Sequence, residues 1–404
     1  MTERCCLICQ RQGTRVFIDF GEQPVSNRLV EDPAAPEYVH PMALAQCPAC
    51  GLVQLAQPML AEEVRPRQPM TYNEPEGHLD RLADRLAAWP GLAKDAVIAG
   101  TTAKDDTLLR RLRERGFTNT WRLDPARDLG ITDPCAGLET IQARLDAEAG
   151  ARMAASHGAA DLLIARHILE HALDLRAFLD GLRAMVRPNG IVVLEVPDCE
   201  RSLARAECSM AWEEHIVYFT EATFRRQFMW TGWSLEACHR FRYALEDSLV
   251  AIIKPAANDA VTESIDAAEL RLSEAFAEGL ARKRETIRAW LKEWTSRGPV
   301  ALLGAGHHGC AFINLLGLRD LIAFVADDHP AKQGKFMPGS RLPILPSQAL
   351  QERAVGLCLL SLSPESEQRV IARHQAFMNN GGRFVSIFTE DSALPQVPEP
   401  ADVR

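Results

Sequence analysis

The fold of this chain is decided by one stretch, Asp161-Leu162-Leu163-Ile164-Ala165-Arg166-His167-Ile168-Leu169-Glu170-His171. Its short apolar run predicts a buried strand, and a helical pattern over 173–186 leads to a second apolar run at 191–196. Further strand-like and helical segments alternate with these from residue 96 onward. This alternation is typical of a doubly wound α/β sheet, in which the ligand lies beyond the carboxyl ends of the strands.

Composition limits the classes of protein that this chain can be. Its 404 residues exceed one compact domain, and its net charge of -9 leaves no basic stripe for nucleic acid or an anionic membrane. No apolar run approaches the roughly 20 residues that span a bilayer, and the N-terminus lacks a basic-then-apolar leader. We therefore expect a cytoplasmic protein, whose eleven cysteines serve as metal ligands or buried thiols rather than disulfides.

Two C-x2-C pairs, Cys6 with Cys9 and Cys47 with Cys50, are separated by 37 residues. Each pair can present two thiolates to one ion, so together they predict a tetrahedral zinc site. Because all four ligands are cysteines, no position is left for a water molecule, and we expect the zinc to support folding rather than catalysis. Cys5 is an alternative ligand to Cys6.

The stretch Trp212–Phe219 combines two carboxylates, an imidazole and a phenol. A histidine beside a carboxylate can act as a general base near neutral pH, because its ordinary pKa of about 6.5 is easily tuned. We therefore predict that His215 is a catalytic base. The alternative is that Glu213 and Glu214 form a solvated acidic pair with His215 as their partner.

A glycine-rich turn, Gly304-Ala305-Gly306-His307-His308-Gly309, follows an apolar run at 299–303 and opens a helical segment. Glycines at a helix N-terminus suit a phosphate group. Asp327 and Asp328 follow Gly309 by 18 and 19 residues, near the spacing of the ribose-binding acid in dinucleotide folds. Taken alone, this pattern predicts a nicotinamide site, and an NAD-dependent oxidoreductase is one alternative.

Several of these blocks are characteristic of one family. The run Gly21–Asn27 and the second cysteine pair with Leu52–Leu55 are followed by the 161–171 stretch, by Val186–Gly190 and by the run 327–339. In this order they resemble the sugar-nucleotide C-methyltransferases. The resemblance implies an α/β protein with a small zinc-binding module and two Rossmann-like doubly wound domains. The implied boundaries are a zinc-binding domain at 1–62, a class I methyltransferase-like domain at 63–255, a helical connector at 256–295 and a C-terminal Rossmann-like domain at 296–404.

The same resemblance implies a reaction. The enzyme would transfer a methyl group from S-adenosylmethionine (SAM) to the carbon next to the ketone of a nucleotide-linked 4-keto deoxysugar. His215 would remove the proton from that carbon, Glu214 would orient His215, and Tyr72 would be a further acid/base or substrate contact. Trp212 and Glu213 stand where the family carries the first half of a Tyr-His-Glu-His motif.

The cofactor turn departs from the family pattern. By resemblance, Gly100, Thr102, Asp124 and His167 would bind SAM, with Asp124 on the ribose. However, the family's acidic residue falls on Gly100, and its two glycines fall on Thr102 and Asp106. A β-carbon hinders close approach of a ligand to the backbone, a positive φ is costly outside glycine, and Asp106 would repel the cofactor carboxylate. Two further alternatives follow: a SAM-independent epimerase or isomerase, or a non-catalytic binding protein, for the same sugar nucleotides.

In the C-terminal domain, the resemblance implies a binding site for the sugar nucleotide, with Lys332 as a countercharge. His308 replaces a residue that is usually lysine in the family. The sequence does not specify an oligomeric state. The residues implied in substrate binding are Gly304, Gly306, His308, Gly309, Asp327 and Lys332.

Overall fold

A computed structural model describes residues 5–67, 75–256, 265–388 and 393–395. The chain divides into two compact units, and each unit is assembled from several separate segments. The predicted boundaries at 62, 255 and 295 therefore stay predictions. The first unit comprises Met1–Val16, Leu44–Glu200 and Glu214–Asp266, and the second comprises Phe17–Ala43, Arg201–Glu213 and Ala267–Arg404.

Strands and helices alternate along most of the described chain. The strands are β1 (Arg15–Pro24), β2 (Val39–Gln46), β3 (Val53–Leu55), β4 (Ile98–Gly100), β5 (Thr120–Arg122), β6 (Ala160–Arg166), β7 (Val186–Asp198), β8 (Val217–Tyr218), β9 (Trp233–Phe241), β10 (Asp247–Pro255), β11 (Val300–Leu303), β12 (Phe324–Ala326), β13 (Ile344–Leu345), β14 (Leu357–Leu360) and β15 (Arg383–Ser386). The helices are α1 (Ala61–Val64), α2 (Leu79–Ala87), α3 (Asp106–Glu114), α4 (Pro125–Leu129), α5 (Leu138–Gln142), α6 (Ala147–His157), α7 (Leu175–Met185), α8 (Glu200–Ala204), α9 (Glu221–Trp230), α10 (Ala267–Thr295), α11 (His307–Leu315), α12 (Ala349–Glu352), α13 (Pro364–Arg373) and α14 (Gln375–Asn379).

The first unit contains a six-stranded sheet in the order β5-β4-β6-β7-β10-β9. β4 pairs in parallel with both β5 and β6, and β6 pairs in parallel with β7, whereas β10 is antiparallel to β7 and β9. The sheet has a buried apolar cluster on each face, which explains why the predicted strand at Leu162–Ile164 is almost uninterrupted by polar residues. The prediction of a doubly wound α/β fold is confirmed.

A smaller antiparallel arrangement positions the Glu214-His215 segment. β3 follows the second cysteine pair and joins β2 on one side and β8 on the other. In the second pairing Val53 lies opposite Tyr218. β8 begins two residues after His215, so this pairing fixes where the chain carrying His215 enters the sheet.

The second unit is built around a fully parallel five-stranded sheet, in the order β13-β12-β11-β14-β15. This confirms the second Rossmann-like fold. The 29-residue helix α10 lies in the region predicted as a helical connector and buries Phe276 edge-to-face against Phe17, with ring centroids 6.1 Å apart. Lys283 of α10 donates to the carboxylate of Glu207 at 2.6 Å.

None of the helices in the described ranges is long and apolar enough to cross a bilayer.

Candidate active site and zinc centre

The four predicted zinc ligands lie together. Sγ of Cys6 is 3.4 Å from Sγ of Cys50, Sγ of Cys9 is 3.6 Å from that of Cys47, and all four sulfurs are within 4.8 Å of one another. Sulfurs at about 2.3 Å from a tetrahedral zinc ion are about 3.8 Å apart, so the cluster fits this metal. Cys5 is exposed and outside the cluster, so it is not an alternative to Cys6 in this arrangement.

Guanidinium groups hold the cysteine loops in place. Arg226 of α9 donates to the carbonyl oxygen of Cys50 at 2.9 Å, and Arg176 of α7 donates to that of Ile8 at 2.7 Å. Gly51 follows the second pair with φ of +78°, a backbone conformation that glycine adopts without strain. The turn around the metal site is therefore supported by the methyltransferase-like sheet and its helices.

His215 lies against the turn that follows β6. The backbone N–H of Ile216 donates to the carbonyl oxygen of Glu170 at 2.7 Å, which fixes the segment beside that turn. The rings of His215 and His171 are edge-to-face, with centroids 4.8 Å apart. His215 is half-buried, while His171 is only 3% exposed. Two imidazoles thus meet at the carboxyl end of β6, the edge of the sheet where α/β proteins bind ligands.

Carboxylates surround this histidine pair. Nδ1 of His171 is 3.7 Å from Oε1 of Glu139, and the ligand atoms of Glu139, His171 and Glu214 all lie within 4.8 Å of one another. In a second group, one ligand atom from each of Glu170, His171 and His215 also lies within 4.8 Å of the others. Burial lowers the pKa of His171 to about 3, so its ring is neutral at physiological pH and does not oppose protonation of His215. Burial also raises the pKa of Glu139.

Sequence reasoning missed three members of this cluster: Glu139, Glu170 and His171. Glu170 and His171 stand in the Leu-Glu-His turn that carries part of the family resemblance, so a signal for them was present. Glu139 belongs to α5, in a region without any motif, and only the packing of the chain places it here.

The two neighbouring glutamates have different partners. Glu213 belongs to the second unit, where its Oε1 accepts from the N–H of Ser26 at 2.6 Å and from its hydroxyl at 2.8 Å. Glu213 and Glu214 are only 4% and 1% exposed. The alternative of a solvated acidic pair is therefore wrong. Trp212 stacks beside His307, with ring centroids 4.6 Å apart.

The turn after β4 is built around a buried carboxylate. Oδ2 of Asp105 accepts from the N–H of Thr101 at 2.6 Å and from that of Thr102 at 2.9 Å, and Oδ1 accepts from the N–H of Arg166 at 3.0 Å. A β-carbon on Gly100 would lie 2.9 Å from that of Asp105. Asp105 thus occupies the space beside position 100, where the family carries its acidic residue, and it supplies a carboxylate to the turn from five residues further along the chain.

This turn does not need the glycines that the sequence lacks. Thr102 has φ of -135° and Asp106 has φ of -58°, both ordinary for any residue. The expected cost of a positive φ is therefore wrong, whereas the hindrance of close approach by the β-carbons stays a prediction. The carboxylate of Asp106 is paired at the start of α3 with Nε of Arg122 at 2.9 Å, which weakens the expected repulsion, and its effect on the cofactor stays a prediction.

Asp105 makes the stability of this turn pH-dependent. Burial raises the pKa of Asp105 from 3.8 to about 6, so the folded chain holds this proton more tightly than the unfolded chain between about pH 4 and pH 6. The free energy of unfolding is therefore expected to fall by about 3 kcal/mol as pH rises through that window, at about 1.4 kcal/mol per pKa unit. Denaturant titrations at several pH values should show a smaller decline for Asp105→Asn than for the unaltered protein, and equal slopes would contradict the assignment.

The other predicted cofactor residues are near this turn. Asp124 is exposed at the end of β5 and caps α4 by accepting from the N–H of Arg127 at 2.8 Å. The N–H of Leu123 donates to the carbonyl oxygen of Gly100, which holds the ends of β4 and β5 together. The role of Asp124 on the ribose of SAM stays a prediction. The donors at Thr101 and Thr102 are already bonded, so the methionine end of SAM would use other groups.

His167 and Tyr72 complete the predicted set. His167 has φ of +49°, and its ring nitrogens lie 3.5 Å from Glu170 and 3.3 Å from Glu195. Its role in cofactor binding stays a prediction. Tyr72 lies outside the described residues.

The glycine-rich turn of the second unit connects β11 to α11. A β-carbon at Gly304 would lie 2.7 Å from Oγ of Ser361, and one at Gly309 would lie 2.6 Å from the carbonyl oxygen of Gly304, so packing requires both glycines. A β-carbon at Gly306 would meet nothing within 4 Å. The backbone at Gly306 is thus the part of the turn that a phosphate group can approach.

The charged residues beside this turn are already paired. Oδ2 of Asp327 accepts from the N–H of Ala305 at 2.9 Å and pairs with Nζ of Lys332 at 3.0 Å. Asp327 is therefore engaged in holding the turn, which weakens its interpretation as the ribose acid of a nicotinamide site. Burial lowers the pKa of His308 to about 4, so this histidine is neutral near pH 7 and does not replace the positive charge of a lysine.

Comparisons with known proteins agree with this architecture. A putative zinc-binding domain model matches residues 6–64, a methyltransferase domain model matches 76–237, and the C-methyltransferase C-terminal domain model matches 256–388. The C-methyltransferase NovU of Streptomyces niveus is 28% identical in an alignment of 399 positions that covers 94% of each chain.

Solved structures give a weaker likeness. An O-methyltransferase family protein from Burkholderia thailandensis is 14% identical, with a TM-score of 0.29 over 44% of this chain and 56% of that one. The CcbJ methyltransferase from Streptomyces caelestis is 12% identical, with a TM-score of 0.30 over 45% of this chain and 97% of that one. At such scores, neither structure adds to the evidence from the three domain matches.

The fold, the cysteine cluster and the domain matches define a SAM-dependent methyltransferase with a zinc-binding N-terminal domain. Within that class, the C-methyltransferase C-terminal domain model matches residues 256–388, and the chain is similar to the C-methyltransferase NovU along nearly its whole length.

Proposed function

We propose that this C-methyltransferase acts on the carbon next to the ketone of a nucleotide-linked 4-keto deoxysugar, with His215 as the general base. The observation that carries the proposal is the half-buried His215 ring against the neutral, buried His171, with Glu170 and Glu214 close by. The sugar-nucleotide substrate is supported by the family resemblance of residues 327–339 and by the open backbone at Gly306. A cytoplasmic location suits such a substrate.

The chemistry requires a carbanion equivalent at the attacked carbon. His215 takes the proton from the carbon next to the ketone, and the electrons of the broken C–H bond form an enolate. The neighbouring carboxylates stabilise the imidazolium that results, while neutral His171 adds no opposing charge. SAM supplies an electrophilic methyl group that the enolate carbon takes, leaving the bonding electrons on sulfur. Alignment of the two reactants supplies much of the remaining acceleration.

Asp124 should be needed for cofactor affinity. Its carboxylate is exposed at the end of β5, where a charge-assisted hydrogen bond to a ribose hydroxyl contributes about 1.5 to 3 kcal/mol. Asp124→Asn is therefore expected to weaken binding of S-adenosylhomocysteine about 10- to 100-fold in calorimetric titrations. Asp95→Asn, another exposed aspartate, is the matched control. Unchanged affinity in the Asp124 variant would remove this residue from the cofactor site.

The substrate class is tested by supplying nucleotide-linked 4-keto deoxysugars together with SAM and following methylation by mass spectrometry. A methylated carbon next to the ketone supports the proposal, and an absence of methylation across such substrates overturns it.

A cofactor-free epimerase or isomerase is a second candidate, favoured by the internal bonding of Thr101 and Thr102 to Asp105. Incorporation of deuterium from solvent next to the ketone, in protein that binds no SAM, would support this second function. Exchange that leads to methylation when SAM is added would support the first.

A further inference from the structure

Three buried side chains from distant parts of the chain converge beside His215. Glu139 comes from α5, His171 from the turn after β6, and Glu214 from the segment before β8. One ligand atom of each lies within 4.8 Å of the others, and Nδ1 of His171 is 3.7 Å from Oε1 of Glu139. Their exposed fractions are 2%, 3% and 1%. The three side chains are thus almost fully buried and are brought together by tertiary packing.

The charges in this cluster require compensation. A buried carboxylate is costly unless it is hydrogen-bonded or paired with a positive charge. Among the described residues, no donor forms a hydrogen bond of normal geometry with either carboxylate oxygen of Glu139. The carboxylate of Glu214 is within bonding reach, but two carboxyl groups can bond only by sharing a proton. Lys104 adds one positive charge nearby, against two carboxylates.

The donor set matches a divalent transition metal. Imidazole nitrogen suits zinc and iron, while carboxylate oxygen suits manganese, and a mixed site can accept any of these ions. Ligand atoms at about 2.0 to 2.2 Å from one ion are about 3 to 4 Å apart, close to the spacing found here. The nitrogen and two carboxylates leave further coordination positions for water or a substrate oxygen.

We propose that Glu139, His171 and Glu214 bind one divalent transition-metal ion, distinct from the zinc held by the four cysteines. His215, which is half-buried beside this site, remains the proposed base, and Glu170 remains close to its ring to stabilise the imidazolium. A bound ion would polarise the ketone oxygen and stabilise the enolate as a Lewis acid, and this role rests on the proposed function. The binding site itself does not depend on the identity of the substrate.

The test is titration of full-length protein that holds one zinc ion per chain, on the four cysteines, with manganese(II) chloride, in which free Mn²⁺ is measured by electron paramagnetic resonance. The unaltered protein should bind one Mn²⁺ per chain at micromolar concentration. Glu139→Gln removes one anionic ligand with little change of shape and should weaken that binding at least 10-fold. Glu148→Gln, on the exposed face of α6, should leave it unchanged. Zinc content and circular dichroism should be the same for all three proteins.

Failure to bind Mn²⁺ below millimolar concentration would overturn the site, and so would equal binding by the Glu139→Gln variant. If that variant does not fold, Glu214→Gln gives the same comparison. Failure of the proposed function is distinguishable, because it would show as Mn²⁺ binding without methylation of any keto sugar. Full methylation by metal-free protein would sink the Lewis-acid role and leave His215 as the base.

Discussion

His215→Gln is expected to lower kcat by about 10² to 10⁴-fold, the usual contribution of a positioned general base. Glutamine keeps much of the size of histidine but cannot accept a proton near neutral pH. As the proposed base, His215 acts in the chemical step, so the loss should fall on that step rather than on binding. Rates measured at saturating SAM and keto sugar check this, together with the affinity for S-adenosylhomocysteine, which should be unchanged.

The matched control is His239→Gln. His239 lies on the edge strand β9 and contacts Arg85 near the surface, so turnover should persist in this variant. A second measurement follows the exchange of deuterium from solvent into the carbon next to the ketone. This exchange should be lost in the His215→Gln variant, and it can be measured without methyl transfer. Turnover within a few-fold of the unaltered protein would remove His215 from the mechanism.

Cys6→Ser should abolish zinc binding and unfold the N-terminal knuckles. The apparent free energy of structural zinc binding is about 10 kcal/mol or more, and it is gained only when all four sulfurs meet. The four sulfurs lie within 4.8 Å of one another, so the loss of one of them removes most of the zinc-binding free energy that keeps these loops ordered. We expect less than one zinc per chain by elemental analysis and rapid tryptic cleavage after Arg11 and Arg15.

Cys5→Ser is the control for the adjacent cysteine. Cys5 is exposed and outside the cluster, so zinc content and protease resistance should match those of the unaltered protein. If instead the Cys5 variant lost its zinc and the Cys6 variant kept it, the ligand assignment would be reversed. Chelation of the unaltered protein should reproduce the Cys6 result, and added zinc should restore resistance.

Part of the site was predictable because its signals are local. A C-x2-C pair closes a knuckle within four residues, so spacing identified the two cysteine pairs, while the structure excluded Cys5 as an alternative to Cys6. Likewise, the glycine-rich turn at 304–309 joins a strand to a helix in consecutive residues, so its position was predictable. The resemblance located the Glu214-His215 pair but left its neighbours unknown, since these come from other elements.

The cofactor turn shows where position-by-position comparison fails. Glycine at position 100 suggested a lost acid, yet a buried carboxylate from Asp105 fills the adjacent space. Such an exchange is invisible to alignment, because the two residues are five positions apart in numbering and meet only when the turn closes. The missing glycines at Thr102 and Asp106 were similarly misleading, since φ is negative at both.

The sequence by itself determined the α/β class and the two cysteine pairs, because periodicity and short spacings reflect contacts between nearby residues. The order of the domains followed from the resemblance to the C-methyltransferases. Only the tertiary structure decided that Glu213 and Glu214 face different partners, since adjacent side chains in a turn point in different directions. It also decided that Glu139 and His171 join His215. Their meeting depends on strand pairing and helix packing over long sequence separations, for which no local pattern of residues provides a signal.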